Sequence, residues 1–354
     1  MPRAQYFGMS AALILAAACA RPAATAPSPA GPSRIDQVSG TRKLLIAVSP
    51  VNDNVVWAAG AAGTYVRTTD GGATWHAAQV PGADSLQFRD VFATDANTAW
   101  LLSIGNGAQS RIYHTTDAGA HWTLQFRNDD PKAFYDCFDF WDAERGFVVG
   151  DAIGDQLAIR TTSDGGAHWT RVDPASLPRA TKDEGSFAAS GTCALARPGG
   201  HAWMVASNPD VGRLLHSTDY GHTWKVDTLP ITTRAGTGPE SVMFRDARNG
   251  VVLGGGMTSA AGDFFTAITT DGGRTWVRRA SPPLLRGAWG GVYVPGANPA
   301  TIVAVSPSGA AYSRDGANSW TVIDTNNYWA VAFASPRAGW AVGNGGRITK
   351  LTGY

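Results

Sequence analysis

What the chain lacks is an excess of either charge. Its 29 basic and 28 acidic residues leave a formal net charge of +1 over 354 residues, with no basic stripe. That excludes the electrostatic footprint of a nucleic-acid-binding surface. It also lacks a hydrophobic run long enough to span a bilayer, since the most apolar stretch, Met9–Ala18, is too short. Seven histidines occur without an H-x-x-x-H spacing, so no zinc site is expected. Neither a G-x-S-x-G nucleophile elbow nor a phosphate-binding glycine loop is present. No metal or cofactor is therefore expected.

What is there is a repeat. Six copies of one motif run down the chain: Thr68–Trp75 (T-T-D-G-G-A-T-W), Thr115–Trp122, Thr162–Trp169, Ser217–Trp224, Thr269–Trp276 and Ser313–Trp320. Their aspartates, Asp70, Asp117, Asp164, Asp219, Asp271 and Asp315, are 47, 47, 55, 52 and 44 residues apart. A period in that range marks a repeat architecture. The Asp pins a tight turn by accepting backbone N–H groups further on, and the Gly two positions later permits a backbone closed to residues with a Cβ. Ala317 replaces that Gly in the sixth copy, which predicts strain there. A single carboxylate followed by glycines is no calcium loop, so these aspartates are structural.

Each repeat opens with a short apolar strand, such as Leu44–Val48 or Val331–Ala334. A second strand follows around an anchor: Trp57, Trp100, Phe147, Trp203, Val251, Ile302 and Trp340. A third strand and then the D-x-G turn lead into a fourth strand that starts at the motif Trp. Four strands per unit at this period is a β-propeller blade. Seven anchors against six motifs leaves the last blade one strand short at the C-terminus. Ile35–Gly40 aligns with the outer strand of the first blade, Ala77–Gly82. The expected fold is therefore all-β, a seven-bladed propeller over residues 34–354 whose N-terminal strand completes the C-terminal blade.

Ahead of it, residues 1–20 read as an export signal, with Arg3 before the apolar run. Two cleavage readings stay open: a lipobox Leu15–Cys19 with lipidation of Cys19, or a signal-peptidase cut after Ala18 or Ala20. Residues 21–33 read as a Pro/Ala/Ser-rich linker. The expected location is the periplasm, or the outer membrane of a bacterium as a lipoprotein. The membrane would be met only through that anchor, and a monomer is the expected state. Cys137 and Cys193 remain; each lies ten residues before its anchor, Phe147 and Trp203. Equivalent places in neighbouring repeats allow a disulfide or two separate buried thiols.

The motifs resemble the Asp-box (BNR-like) repeats of sialidases, sortilin-type receptors and some glucanases. Together with Gly339-Trp340-Ala341-Val342-Gly343 and Gly346-Arg347-Ile348, the seven-fold count is most similar to photosystem II stability/assembly-factor-like propellers. The resemblance covers essentially residues 34–354 and implies a non-catalytic binding or assembly scaffold. Its enzymatic branch implies a glycoside hydrolase. The chain lacks the Arg-Ile-Pro segment of sialidases, and that family is normally six-bladed.

Ligands of propellers meet the channel mouth, where inner strands begin and the loops between second and third strands project. The inner-strand starts offer Arg89, Tyr135, Asp136, Ser190, Glu240 and Trp329. The projecting loops and the connection before the fourth blade offer Asp151, Asp155, Asp263 and Glu184. The sector of blades three and four is the densest in acid and aromatic residues. If chemistry occurs, Asp136, Asp151 and Glu184 are the candidate acid/base groups. The expected partner is a protein or glycan at this mouth.

Overall fold

In all six motifs the hydroxyl at the first position holds the turn as firmly as the carboxylate does. In the first copy Thr68 Oγ1 accepts from Asp70 N (3.3 Å) and Gly72 N (3.0 Å) and donates to Asp70 Oδ1 (2.7 Å). Asp70 Oδ1 then accepts from Thr74 N at 2.9 Å, and Oδ2 from Thr74 Oγ1 at 2.5 Å. His121 and His168 take the place of that threonine, each donating Nδ1–H to the motif Asp at 2.6 and 2.7 Å. These donors hold Asp117, Asp164, Asp271 and Asp315 down at about 2. Two successive residues, not one, take left-handed φ: Gly71 and Gly72 in the first copy, Ala118 and Gly119 in the second, Gly316 and Ala317 in the sixth. Ala317 keeps the shape of the turn, its N–H reaching Ser313 Oγ at 2.9 Å with φ +63°.

The computed structural model describes residues 1–2, 32–187, 189–256, 264–283 and 287–354. The chain divides into two units, 1–30 and 31–354. All of the signal but residues 1–2, most of the linker, Cys19 and Asp263 lie outside the described residues.

Seven four-stranded antiparallel sheets make up the second unit. Their inner strands are Leu45–Pro50, Phe88–Ala93, Tyr135–Phe140, Ala194–Arg197, Thr237–Phe244, Gly290–Tyr293 and Ala330–Ser335. Every second-strand anchor is buried, with Trp57, Phe147, Trp203 and Trp340 at 0% exposure. Side chains of one inner strand accept N–H groups of the next: Ser49 from Ala93 (3.1 Å), Asp90 from Phe138 (2.9 Å) and Asp139 from Ala196 (2.7 Å). Cys137 and Cys193 are joined across this same seam as a disulfide, with their Cα atoms 6.0 Å apart.

The ring closes as the strand count requires. Ser33–Gln37 pairs antiparallel with Arg347–Thr352, running from Ser33↔Thr352 to Gln37↔Ile348. Gln37 Oε1 accepts from Trp75 Nε1 (3.1 Å) and Trp340 Nε1 (3.2 Å), while Nε2 donates to Gly71 O (3.1 Å). Gln125 receives the Trp100 indole in the same way on the outer strand of blade two, at 3.1 Å. One residue thus ties the last blade to the first and removes an exposed edge.

Candidate functional site at the channel mouth

Four inner strands carry a β-bulge near their start, between Leu45/Ala47, Phe88/Asp90, Tyr135/Cys137 and Pro239/Ser241. A bulge leaves one residue out of the ladder and re-aims its side chain. The residues left out are Ile46, Arg89, Asp136 and Glu240. Trp329 holds the matching place in blade seven, directly before Ala330, which pairs with Val342 as Cys137 pairs with Val149. These positions form the ring around the mouth. Arg89 of blade two lies over the Trp329 ring at 5.0 Å, and Trp329 meets Trp289 of blade six edge-to-face at 4.5 Å.

The fourth blade departs from this pattern. Gly185 pairs with Ser207, its N–H donating to Ser207 O at 2.9 Å and its O accepting from Ser207 N at 2.8 Å; the ladder resumes only at Cys193, whose O accepts from Val205 N at 3.0 Å. Residues 186–187 and 189–192 are looped out of the inner strand into the channel. Ser190 Oγ donates to Trp289 O, Thr192 O accepts from Val242 N at 2.9 Å, and Gly191 is packed against the Asp90 carboxyl. The insertion therefore bridges blades two, five and six. Below it lies a cavity of about 260 Å³ lined from all seven inner strands, with Ser190, Gly191 and Thr192 as its roof.

Of the sequence candidates, the structure brings Asp136 and Asp151 together. Asp136 is 1% exposed and Asp151 half-buried; the two carboxyl groups are neighbours. Burial first, and then its Asp151 neighbour, push Asp136 well above the usual carboxylate range; nearby Arg89 only partly offsets this. Burial also raises Asp151, against Ser186 N–H donating to Oδ1 at 3.2 Å. Asp136 Oδ2 has no hydrogen-bond partner. Glu240 is fully buried, its carboxyl pushed up to about 8 by desolvation, and neither oxygen has a partner.

The other candidates sit elsewhere. Glu184 turns from the Asp136–Asp151 pair: Oε2 takes a buried ion pair with Arg213 Nη1 and accepts from Thr181 N at 2.7 Å. Tyr135 is core, its OH accepting from Arg160 Nε at 2.7 Å and its ring edge-on to Phe126. Asp155 is exposed and paired with Arg179 at 2.9 Å. Ser190 belongs to the channel insertion. Trp289, Thr192 and Arg213 were not singled out from the sequence. The one available signal was the 55-residue interval between Asp164 and Asp219, the longest of the five, which contains the insertion. Among the described residues, no group of three or more His, Cys, Asp or Glu is placed to hold a metal ion.

No family model matches the sequence, and no curated protein matches it. Among solved structures the chain is similar to YCF48 bound to a D1 peptide, at 18% identity and a TM-score of 0.64, covering 93% of this chain and 98% of that one. It is similar to YCF48 from Cyanidioschyzon merolae at 16% identity and a TM-score of 0.66, over 90% and 98%. A GH74 xyloglucanase from Xanthomonas campestris matches at 13% identity and a TM-score of 0.60, over 90% of this chain and 53% of that one. The chain thus spans about half of that enzyme. At these identities the likeness is one of fold: a seven-bladed, four-stranded propeller.

Proposed function

We propose that this propeller is a non-catalytic binding scaffold whose channel mouth receives a segment of a partner protein. The observation that carries the reading is the Asp136–Asp151 pair. Its two carboxyl groups are neighbours, and Asp136 is raised by burial and then by Asp151. Retaining glycosidases need about 5 Å between theirs and inverting ones roughly 6.5–9.5 Å, to admit an anomeric carbon or a water. A pair in mutual contact is arranged to hold a proton. Glu184, bound to Arg213, supplies no third acid/base group. The similarity to YCF48 with a bound D1 peptide supports a peptide ligand and an assembly-factor-like role. The hydroxyl–aspartate turns support reading the repeats as Asp boxes.

A random-peptide display selection against the folded protein tests this. Binders that lose affinity in Trp329→Ala are expected; if no selected peptide depends on the mouth, the reading fails. The fold it shares with the GH74 xyloglucanase favours a second reading, a glycan-active enzyme. Turnover of xyloglucan or a sialoside, lost in Asp151→Asn, would establish that reading in place of the first. We further read the N-terminus as an export signal, removed either ahead of a lipidated Cys19 or by a signal-peptidase cut after Ala18 or Ala20. N-terminal mass analysis of the mature protein from an envelope fraction checks both.

A further inference from the structure

We propose that the mouth is built to receive a cationic side chain, lysine or arginine, from an extended segment of the partner. This rests on the binding-scaffold reading above and adds the chemistry of the ligand. Among the described residues, three carboxyl groups, Asp136, Asp151 and Glu240, stand at or beside ring positions, with the Arg89 guanidinium among them. Asp136 Oδ2 is a buried acceptor without a donor, whereas buried polar groups are ordinarily paired. The deficit is thus one of donors. An ammonium brings three donors and a guanidinium five, and neither brings an acceptor that would itself need a partner. A sugar or an uncharged amide would add acceptors to a site already rich in them.

The opposite wall suits the same charge. The Trp289–Trp329 pair already holds the Arg89 guanidinium against a ring face at 5.0 Å, a cation–π arrangement. The channel insertion reaches the same wall, Ser190 Oγ donating to Trp289 O. The groups facing the Asp136–Asp151 pair are Arg89 from blade two and the Ser186 N–H from the insertion; Glu184, beside it in sequence, is engaged with Arg213. Burial raises Asp136, so an arriving cation favours its ionised form and binding releases a proton to solvent.

Three terminally blocked, fluorescently labelled hexapeptides with Lys, Gln or Glu at one central position in an otherwise Gly/Ser sequence test this by anisotropy with the full propeller. The lysine peptide is expected to bind on the order of tenfold more tightly than the glutamine peptide, the worth of one charge-assisted hydrogen bond. The glutamate peptide should bind most weakly. Asp136→Asn and Asp151→Asn, which keep the side-chain shape, should each erase the lysine preference. Calorimetry of the lysine peptide in buffers of different ionisation enthalpy should report proton release in the native protein and none in Asp136→Asn. Equal binding of all three peptides, lost in Trp329→Ala, overturns the charge preference and leaves the scaffold reading standing. Binding of none of them at millimolar concentration overturns both.

Discussion

A left-handed φ at a residue with a Cβ is the most local cost in this molecule. Ala317 at +63° takes a backbone that every other motif fills with glycine, and Ala118 at +64° one that only Tyr220, at +60°, shares among the non-glycine residues of the motifs. Ala317→Gly should raise stability by up to about 1 kcal/mol, the strain relief outweighing the added freedom of the unfolded chain. Urea denaturation measures it, and a loss of stability would show that the alanine is unstrained. Glu240 poses a different cost. Its carboxyl is raised to about 8 from an ordinary 4.5, so the folded state holds a proton that the unfolded chain has released. Stability from this group is therefore complete below pH 4.5 and declines as pH rises towards 8. Glu240→Gln should remove that decline, its advantage over the native protein growing between about pH 5 and pH 8. Parallel stability curves for the two proteins would contradict the assignment.

Strands and turns carry the next level. Gln37 accepts from two indoles and donates to one carbonyl, all outside its own strand. Gln37→Ala strands those donors at the seam between first and last blades and should cost about 1–3 kcal/mol. The same change at an exposed outer-strand residue such as Lys225 should be nearly silent, and denaturation midpoints separate the two. The channel insertion is pinned at its C-terminal end by the Cys137–Cys193 disulfide, which spans 56 residues. Removing both sulfurs with Cys137→Ser/Cys193→Ser should destabilise by about 4 kcal/mol on loop-closure grounds. Amides 186–193 should then exchange faster than those of the other inner strands; unchanged protection there would mean that the hydrogen bonds to Trp289 and Val242 hold the insertion alone.

For the whole ring, the six motif carboxylates act together. Four are held at about 2 and the other two also lie below the ordinary 3.8, so between roughly pH 4 and pH 2 the unfolded chain binds more protons. Stability present above pH 4 should be lost across that window. His216, kept neutral by burial with its pKa at about 4, adds to the loss from about pH 6.5 downward. An acid-unfolding curve that stays flat to pH 2 would contradict this.

The repeat, the strand order and the shared last blade could be read from the chain because each rests on local chemistry. A D-x-G turn, a period-two strand and a missing fourth strand are written within about 50 residues of one another. Strand ends were less legible: Leu44–Val48 is in fact Leu45–Pro50, since ladder pairing and not apolar content sets the limit. The mouth was legible as a list and illegible as a geometry. Asp136 and Asp151 meet through a bulge and a hairpin within one blade; Glu184, grouped with them from sequence, is claimed by an arginine 29 residues away on another strand. Trp289 and Trp329 meet edge-to-face, and Ser190 crosses to Trp289, only because the ring closes. The sequence by itself determined the ring, because turns and strands are decided by near neighbours. Only the tertiary structure decided which carboxyls are buried side by side and which oxygens stay unpaired, because burial and pairing depend on atoms brought together by closure.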